Sequence, residues 1–188
     1  ATLEAIGSGG SFTSLAVVNG NPAIAYFYGT GLDLKYVRAA NASGTVWPIG
    51  VTVDYSVNVG YYTSLAVVNG NPAISYYDIT NSNLKYVRAS DISGTTWGTA
   101  LTIDAGGNVG YNTSLAVVNG NPAVSYYDGS SFNLKYVRAT NASGTTWGTA
   151  IAIDVTGTVG QYTSIVIVNG NPAISYYDVT NGDLKYVR

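Results

Sequence analysis

The 188 residues carry eight basic and ten acidic side chains, a net charge of −2, with 46% hydrophobic and only 10% charged residues. This composition excludes general disorder, and without a basic field no nucleic acid is expected as a partner. The chain has no Cys and no His, which excludes disulfides, thiolate chemistry, imidazole bases and the usual zinc sites; no cofactor and no metal are expected. No apolar run reaches the roughly 18 residues of a membrane helix, so no membrane partner is expected either.

Taken in chain order, the elements repeat. Residues 2–4, Thr-Leu-Glu, align with 52–54 and 102–104, so the chain is expected to open in the last strand of a unit; no leader is evident, and both ends read as cut or processed. Residues 13–22, Thr-Ser-Leu-Ala-Val-Val-Asn-Gly-Asn-Pro, return at 63–72 and 113–122, and in softened form at 163–172, a strict period of 50 residues. In the second copy, Ser64-Leu65-Ala66-Val67-Val68 predicts a strand. Asn69-Gly70 predicts a hairpin turn, and Ala73-Ile74-Ser75-Tyr76-Tyr77 is the returning strand. A polar loop from Asp78 to Asn83 leads to a third strand, Leu84-Lys85-Tyr86-Val87-Arg88. After Asp91-Ile92-Ser93-Gly94, a fourth strand is expected with Trp97, Thr99, Leu101 and Ile103 on one face, ending at Asp104.

No segment has helical periodicity. Four antiparallel strands repeated at this period predict an all-β β-propeller of four-stranded blades, four per chain. The chain closes on a third strand, at Arg188, so the N-terminal strand is expected to complete the blade that the C-terminal strands begin. One domain, residues 1–188, is expected. The Tyr-rich strands favour a large ring, an eight-bladed propeller made by a homodimer; a compact four-bladed monomer is the alternative.

The whole chain resembles tandem propeller repeats of bacterial secreted and surface proteins. Residues 91–97, Asp-Ile-Ser-Gly-Thr-Thr-Trp, are similar to the Asp-box turn of sialidase-like propellers, with Gly44/Trp47, Gly94/Trp97 and Gly144/Trp147 keeping its Gly-to-aromatic spacing. The Asp of that motif, two before the Gly, is replaced by Ala42, Ile92 and Ala142. The near-identity of the copies also resembles amplified or engineered symmetric propellers. The resemblance implies an extracellular or cell-surface parent.

Ligands are expected on the face carrying the loops from strand two to three and from strand four to the next blade. The candidates are Asp78, Asn81, Asn83, Asp128, Asn133, Asp178, Asn181, Tyr61 and Tyr111, polar and aromatic groups suited to sugar hydroxyls. The competing reading makes Asp78, Asp128 and Asp178 turn caps. Lys85 and Arg88 point to opposite faces, so each blade is expected to hold one ion pair, with Asp78 or Asp104. Asn41, Asn112 and Asn141 fit the Asn-x-Ser acceptor pattern. No residue is assigned to catalysis, because glycoside hydrolysis needs two carboxylates in unlike environments and the repeat duplicates every acid. The functional expectation is therefore a non-catalytic, self-assembling scaffold whose partner is itself, with a multivalent lectin-like module binding glycans as the alternative.

Overall fold

Asn69 (φ 45°) and Gly70 (φ 82°) both take positive φ, the two-residue turn whose twist matches that of paired antiparallel strands. The Asn-Gly pairs at 19–20, 119–120 and 169–170 do the same. The computed structural model describes Leu3 and residues 9–188. Blade one comprises β1 (Gly9–Val18), β2 (Asn21–Tyr28), β3 (Asp33–Arg38) and β4 (Val51–Asp54). Blade two is β5 (Val59–Val68), β6 (Asn71–Asp78), β7 (Asn83–Arg88) and β8 (Leu101–Asp104). Blade three is β9 (Val109–Val118), β10 (Asn121–Asp128), β11 (Asn133–Arg138) and β12 (Ile151–Asp154). Blade four has β13 (Val159–Val168), β14 (Asn171–Asp178) and β15 (Asp183–Val187). Each sheet is an antiparallel meander in sequence order. The strand expected to complete blade four, residues 2–4, lies outside the described residues except for Leu3.

Two strand boundaries differ from the expectation. The first strand of a blade is longer: β5 starts at Val59, and a bulge between Tyr61 and Ser64 holds Tyr62 at φ 53°. The fourth strand is shorter: β8 spans Leu101–Asp104, while Trp97 makes only an isolated bridge to Ala89. The cause is local, because the Gly98 N–H donates to the Arg88 carbonyl at 3.0 Å and turns the chain before pairing resumes.

Successive first strands lie side by side, so β1, β5, β9 and β13 form the inner layer. Thr113 Oγ1 donates to the Tyr62 carbonyl at 2.9 Å, and the Leu115 N–H donates to Ser64 Oγ at 3.0 Å. Thr63 bonds Phe12 in the same way one blade earlier. Between blades one and two, Leu34 and Tyr36 pack against Leu65, Ile74 and Tyr76. Backbones approach so closely that a Cβ on Gly110 (φ +113°) would sit 3.0 Å from the Leu84 Cα, and Gly60 meets Leu34 identically; only Gly combines that φ with that proximity. Further out, Trp97 of blade two lies edge-on to Tyr36 of blade one at 5.1 Å.

Among the described residues, the outermost blades leave apolar side chains uncovered. Leu15 and Val17 on blade one and Leu184 and Tyr186 on blade four are all exposed. A compact four-bladed ring would bury them.

Candidate functional site

The hairpin turns between the first two strands of each blade are repeated without change as Asn-Gly-Asn-Pro. The loops at the other end diverge between the copies. Residues 55–58 read Tyr-Ser-Val-Asn, 105–108 Ala-Gly-Gly-Asn and 155–158 Val-Thr-Gly-Thr; residues 79–82 read Ile-Thr-Asn-Ser and 129–132 Gly-Ser-Ser-Phe. The bulged positions differ too, as Phe12, Tyr62, Asn112 and Tyr162. The copies therefore differ on the face that carries the candidate residues, and also in the third-to-fourth-strand turns at the other end, as at Ala42/Ile92 and Pro48/Gly98.

Aromatic rings run across that face. Tyr61 packs on Phe27 at 4.3 Å and on Phe12 at 5.0 Å; Tyr62 lies 4.8 Å from Phe12 and 5.5 Å from Tyr111; Tyr111 packs on Tyr77 at 4.5 Å. Amide groups border the rings: the Tyr61 hydroxyl donates to Asn58 Oδ1 at 3.2 Å, the Tyr77 hydroxyl donates to Asn108 Oδ1, and Asn108 Nδ2 donates to the Tyr111 hydroxyl at 3.0 Å. Tyr61 and Tyr111 from the sequence candidates therefore lie in one row. Phe12, Tyr62 and Tyr162, which sequence reasoning left out, project from left-handed residues (φ 51° to 53°), a conformation that costs an aromatic residue roughly 1–3 kcal/mol.

The acidic candidates lie differently. Asp78 is buried, its Oδ1 accepting from the Asn81 N–H at 3.0 Å and its Oδ2 from Asn81 Nδ2 at 2.9 Å. Asp178 repeats this with Asn181, and Asp128 takes the Ser130 and Ser131 N–H groups and the Ser131 hydroxyl. These carboxylates cap turns, and exposed Asn81 and Asn181 are the groups presented outward. Asn83 and Asn133 open β7 and β11 opposite Asp78 and Asp128.

Beneath the loops each seam between blades holds an ion cluster. Lys85 Nζ lies 2.6 Å from Asp54 Oδ2 and 3.8 Å from Asp78 Oδ2, and the Tyr76 hydroxyl donates to Asp54 Oδ2 at 2.5 Å. Of the two partners expected for Lys85, Asp78 is within reach at 3.8 Å, whereas Asp104 lies one blade away. Asp104 stands in register with Leu84, so it faces blade three, where it meets Lys135 at 2.6 Å. Asp154 and Lys185 repeat the pair at 2.5 Å. Burial alone would raise the Asp54 carboxyl, but bonds from Lys85, Tyr76 and Ser56 outweigh it and hold it below its ordinary value. The same balance lowers Asp104. Burial also raises Tyr76 well above its usual range, with Asp54 adding to the effect. A cavity of about 340 Å³ opens beside the first cluster, lined by Asp54, Tyr55, Lys85 and Trp97 among others. Arg88 turns the other way and donates to the Val68 and Asn69 carbonyls.

No family model and no curated protein matches the sequence. Solved structures do match the fold. An exo-β-1,3-galactanase from Phanerochaete chrysosporium is similar with a TM-score of 0.63 at 12% identity, over 93% of this chain and 44% of its own. An α-L-arabinofuranosidase from Lactobacillus brevis gives 0.61 at 10% identity over 89% and 62%. The NanB sialidase of Streptococcus pneumoniae gives 0.60 at 16% identity over 92% and 28%. The chain thus spans less than two thirds of each of these enzymes. The matches support a propeller-type fold and correct two expectations. The expectations of a non-catalytic scaffold and of no enzyme are corrected on this point: the solved neighbours of the fold are glycosidases, at 10–16% identity.

Proposed function

We propose that the chain is the blade array of a carbohydrate-active propeller and that its variable loop face engages saccharide. The observation that carries this reading is the row of Phe12, Tyr61, Tyr62 and Tyr111, backed by the buried Tyr77 and bordered by Asn58 and Asn108. Flat apolar rings beside amide donors and acceptors suit a sugar, whose ring faces carry C–H groups and whose edges carry hydroxyls. The exposed amides of Asn81 and Asn181, with Asn83 and Asn133 at the strand starts, extend the polar rim. Asp78, Asp128 and Asp178 support that rim by holding its turns. The glycosidase-like fold supports the same reading. The blades belong to a ring of eight, four from each of two chains, the ring size favoured by Tyr- and Leu-rich blade faces.

Titration with β-1,3-galactotriose and with xylotriose, followed by tyrosine-region NMR shifts, tests the reading, and release of reducing ends tests turnover of the same sugars. Binding weakened about tenfold by Tyr111→Ala, at roughly 1.4 kcal/mol per decade, is the expected result. Unchanged spectra with both sugars at millimolar concentration would contradict it.

A further inference from the structure

The two open faces of the blade array are the two halves of an internal seam. Contacts that join neighbouring blades recur at fixed sequence spacings. The inner-strand Thr meets a backbone carbonyl 51 residues before it (Thr113 to Tyr62), and Ser meets Thr at 38 (Ser75 to Thr113). The third-strand Tyr meets the turn carbonyl at 57 (Tyr36 to Ser93, Tyr86 to Ser143), and the hairpin Asn meets the turn Ser at 74 (Asn19 to Ser93, Asn69 to Ser143).

Carried one blade past blade four, each spacing lands on blade one after four periods. Tyr186 then meets Ser43 and Trp47, Ser175 meets Thr13, Ser164 meets the Leu15 N–H, and Leu184 meets Gly10. The open residues match this on both sides. Thr13 is exposed where Thr63, Thr113 and Thr163 are buried. A Cβ on Gly10 (φ +87°) would touch nothing within 4 Å, where those on Gly60, Gly110 and Gly160 would strike the preceding blade's Leu. Gly44 keeps its Pro22 and Trp47 neighbours but lacks the Tyr that crowds Gly94 and Gly144.

We propose that the blade-four face of one chain is covered by the blade-one face of a second copy, and reciprocally, so that two chains close one ring. The partner is a second copy because each open surface carries the residues that internal seams use to recognise the other. The inference rests on the eight-blade reading above and adds its contacts. It also completes the aromatic face: Phe12 sits 4.8 Å from Tyr62 within the chain, and the exposed Tyr162 occupies the equivalent position toward Phe12 of the partner copy.

The test is the molar mass of the 188-residue chain by light scattering and sedimentation over a wide concentration range, with Leu184→Arg and Leu15→Glu as seam variants; both sites are exposed in the single chain. Twice the 19.6 kDa chain mass is expected for the native protein. Each variant alone should run as a single chain, and a mixture of the two should recover the double mass, because one Leu15–Leu184 seam in the mixed pair stays native. A single-chain mass at every concentration, a species of more than two chains, or variants that dimerise unaltered would each overturn the proposal. The sugar titration is separate: loss of sugar binding with the double mass intact would sink the carbohydrate reading alone.

Discussion

Leu84 is fully buried and Leu184, one hundred residues on in the same repeat position, is 84% exposed; Tyr86 and Tyr186 differ as 1% against 60%, and Leu65 and Leu15 as 7% against 69%. The local sequences are nearly the same, so propensity and strand pairing do not account for the difference. What differs is the neighbour. Blade two is sandwiched by blades one and three, whereas blade four offers its outer face and blade one its inner face to solvent. An interior blade therefore shows how much of each residue's role belongs to the seam rather than to the sheet.

The largest effect that sharpens this comparison is a matched pair of truncations. Leu84→Ala should cost about 2–5 kcal/mol in chemical denaturation, the usual price of a core cavity, while Leu184→Ala at high dilution should stay within about 0.5 kcal/mol. Equal losses would break the comparison. Next, Asp54→Asn removes the anion facing a buried Lys85, leaving Asp78 at 3.8 Å as its remaining partner. A loss of roughly 3 kcal/mol is expected from stranding a buried cation, and a loss below about 1 kcal/mol would show the cluster to be solvated.

Gly110→Ala forces a Cβ to 3.0 Å from the Leu84 backbone at φ +113°, whereas Gly10→Ala meets open space at φ +87°. Melting should show a loss of about 1–3 kcal/mol for the first, and about 1 kcal/mol or less for the second at dilution. The pH response is gentler. Asp54 and Asp104 titrate below the ordinary 3.8 in the folded chain, so at acid pH the unfolded state binds more protons than the folded one. Their contribution is complete above the ordinary value and is lost as pH falls through the lowered folded values. Denaturation midpoints should be level from pH 7 to about 5 and drop below about 4; Asp54→Asn should shrink that drop.

Much of this was legible in the sequence. The period, the Asn-Gly turns and the alternation in the third strand gave the blades, because each is a local rule that every copy obeys. Of the two acids expected beside Lys85, Asp78 is in place at 3.8 Å but Asp104 serves the next seam, because parity says which face Lys85 takes, whereas only the register of Asp104 with Leu84 says which blade that face meets. The Asp-box turn shows the same limit. Its Asp is replaced two before Gly94, yet Asp91, three before it, accepts from the Ser93, Thr95 and Thr96 N–H groups; a one-residue shift preserves the cap. Of the aromatic row, Tyr61 and Tyr111 were found by their place near the loops. Tyr62 was missed because a regular strand would alternate it away from Tyr61, and the bulge that brings both to one face follows from tertiary packing.

The central claim, that blade environment rather than blade sequence distinguishes the copies, is tested most directly by hydrogen exchange. Residues 71–80 and 171–180 differ only as Ile79 and Val179, so their intrinsic exchange rates are almost equal and their masses still tell them apart. At the lowest concentration, amides of β14 should exchange markedly faster than those of β6, and the gap should close as concentration rises and the second copy covers blade four. Equal protection in the two strands at high dilution would contradict the account.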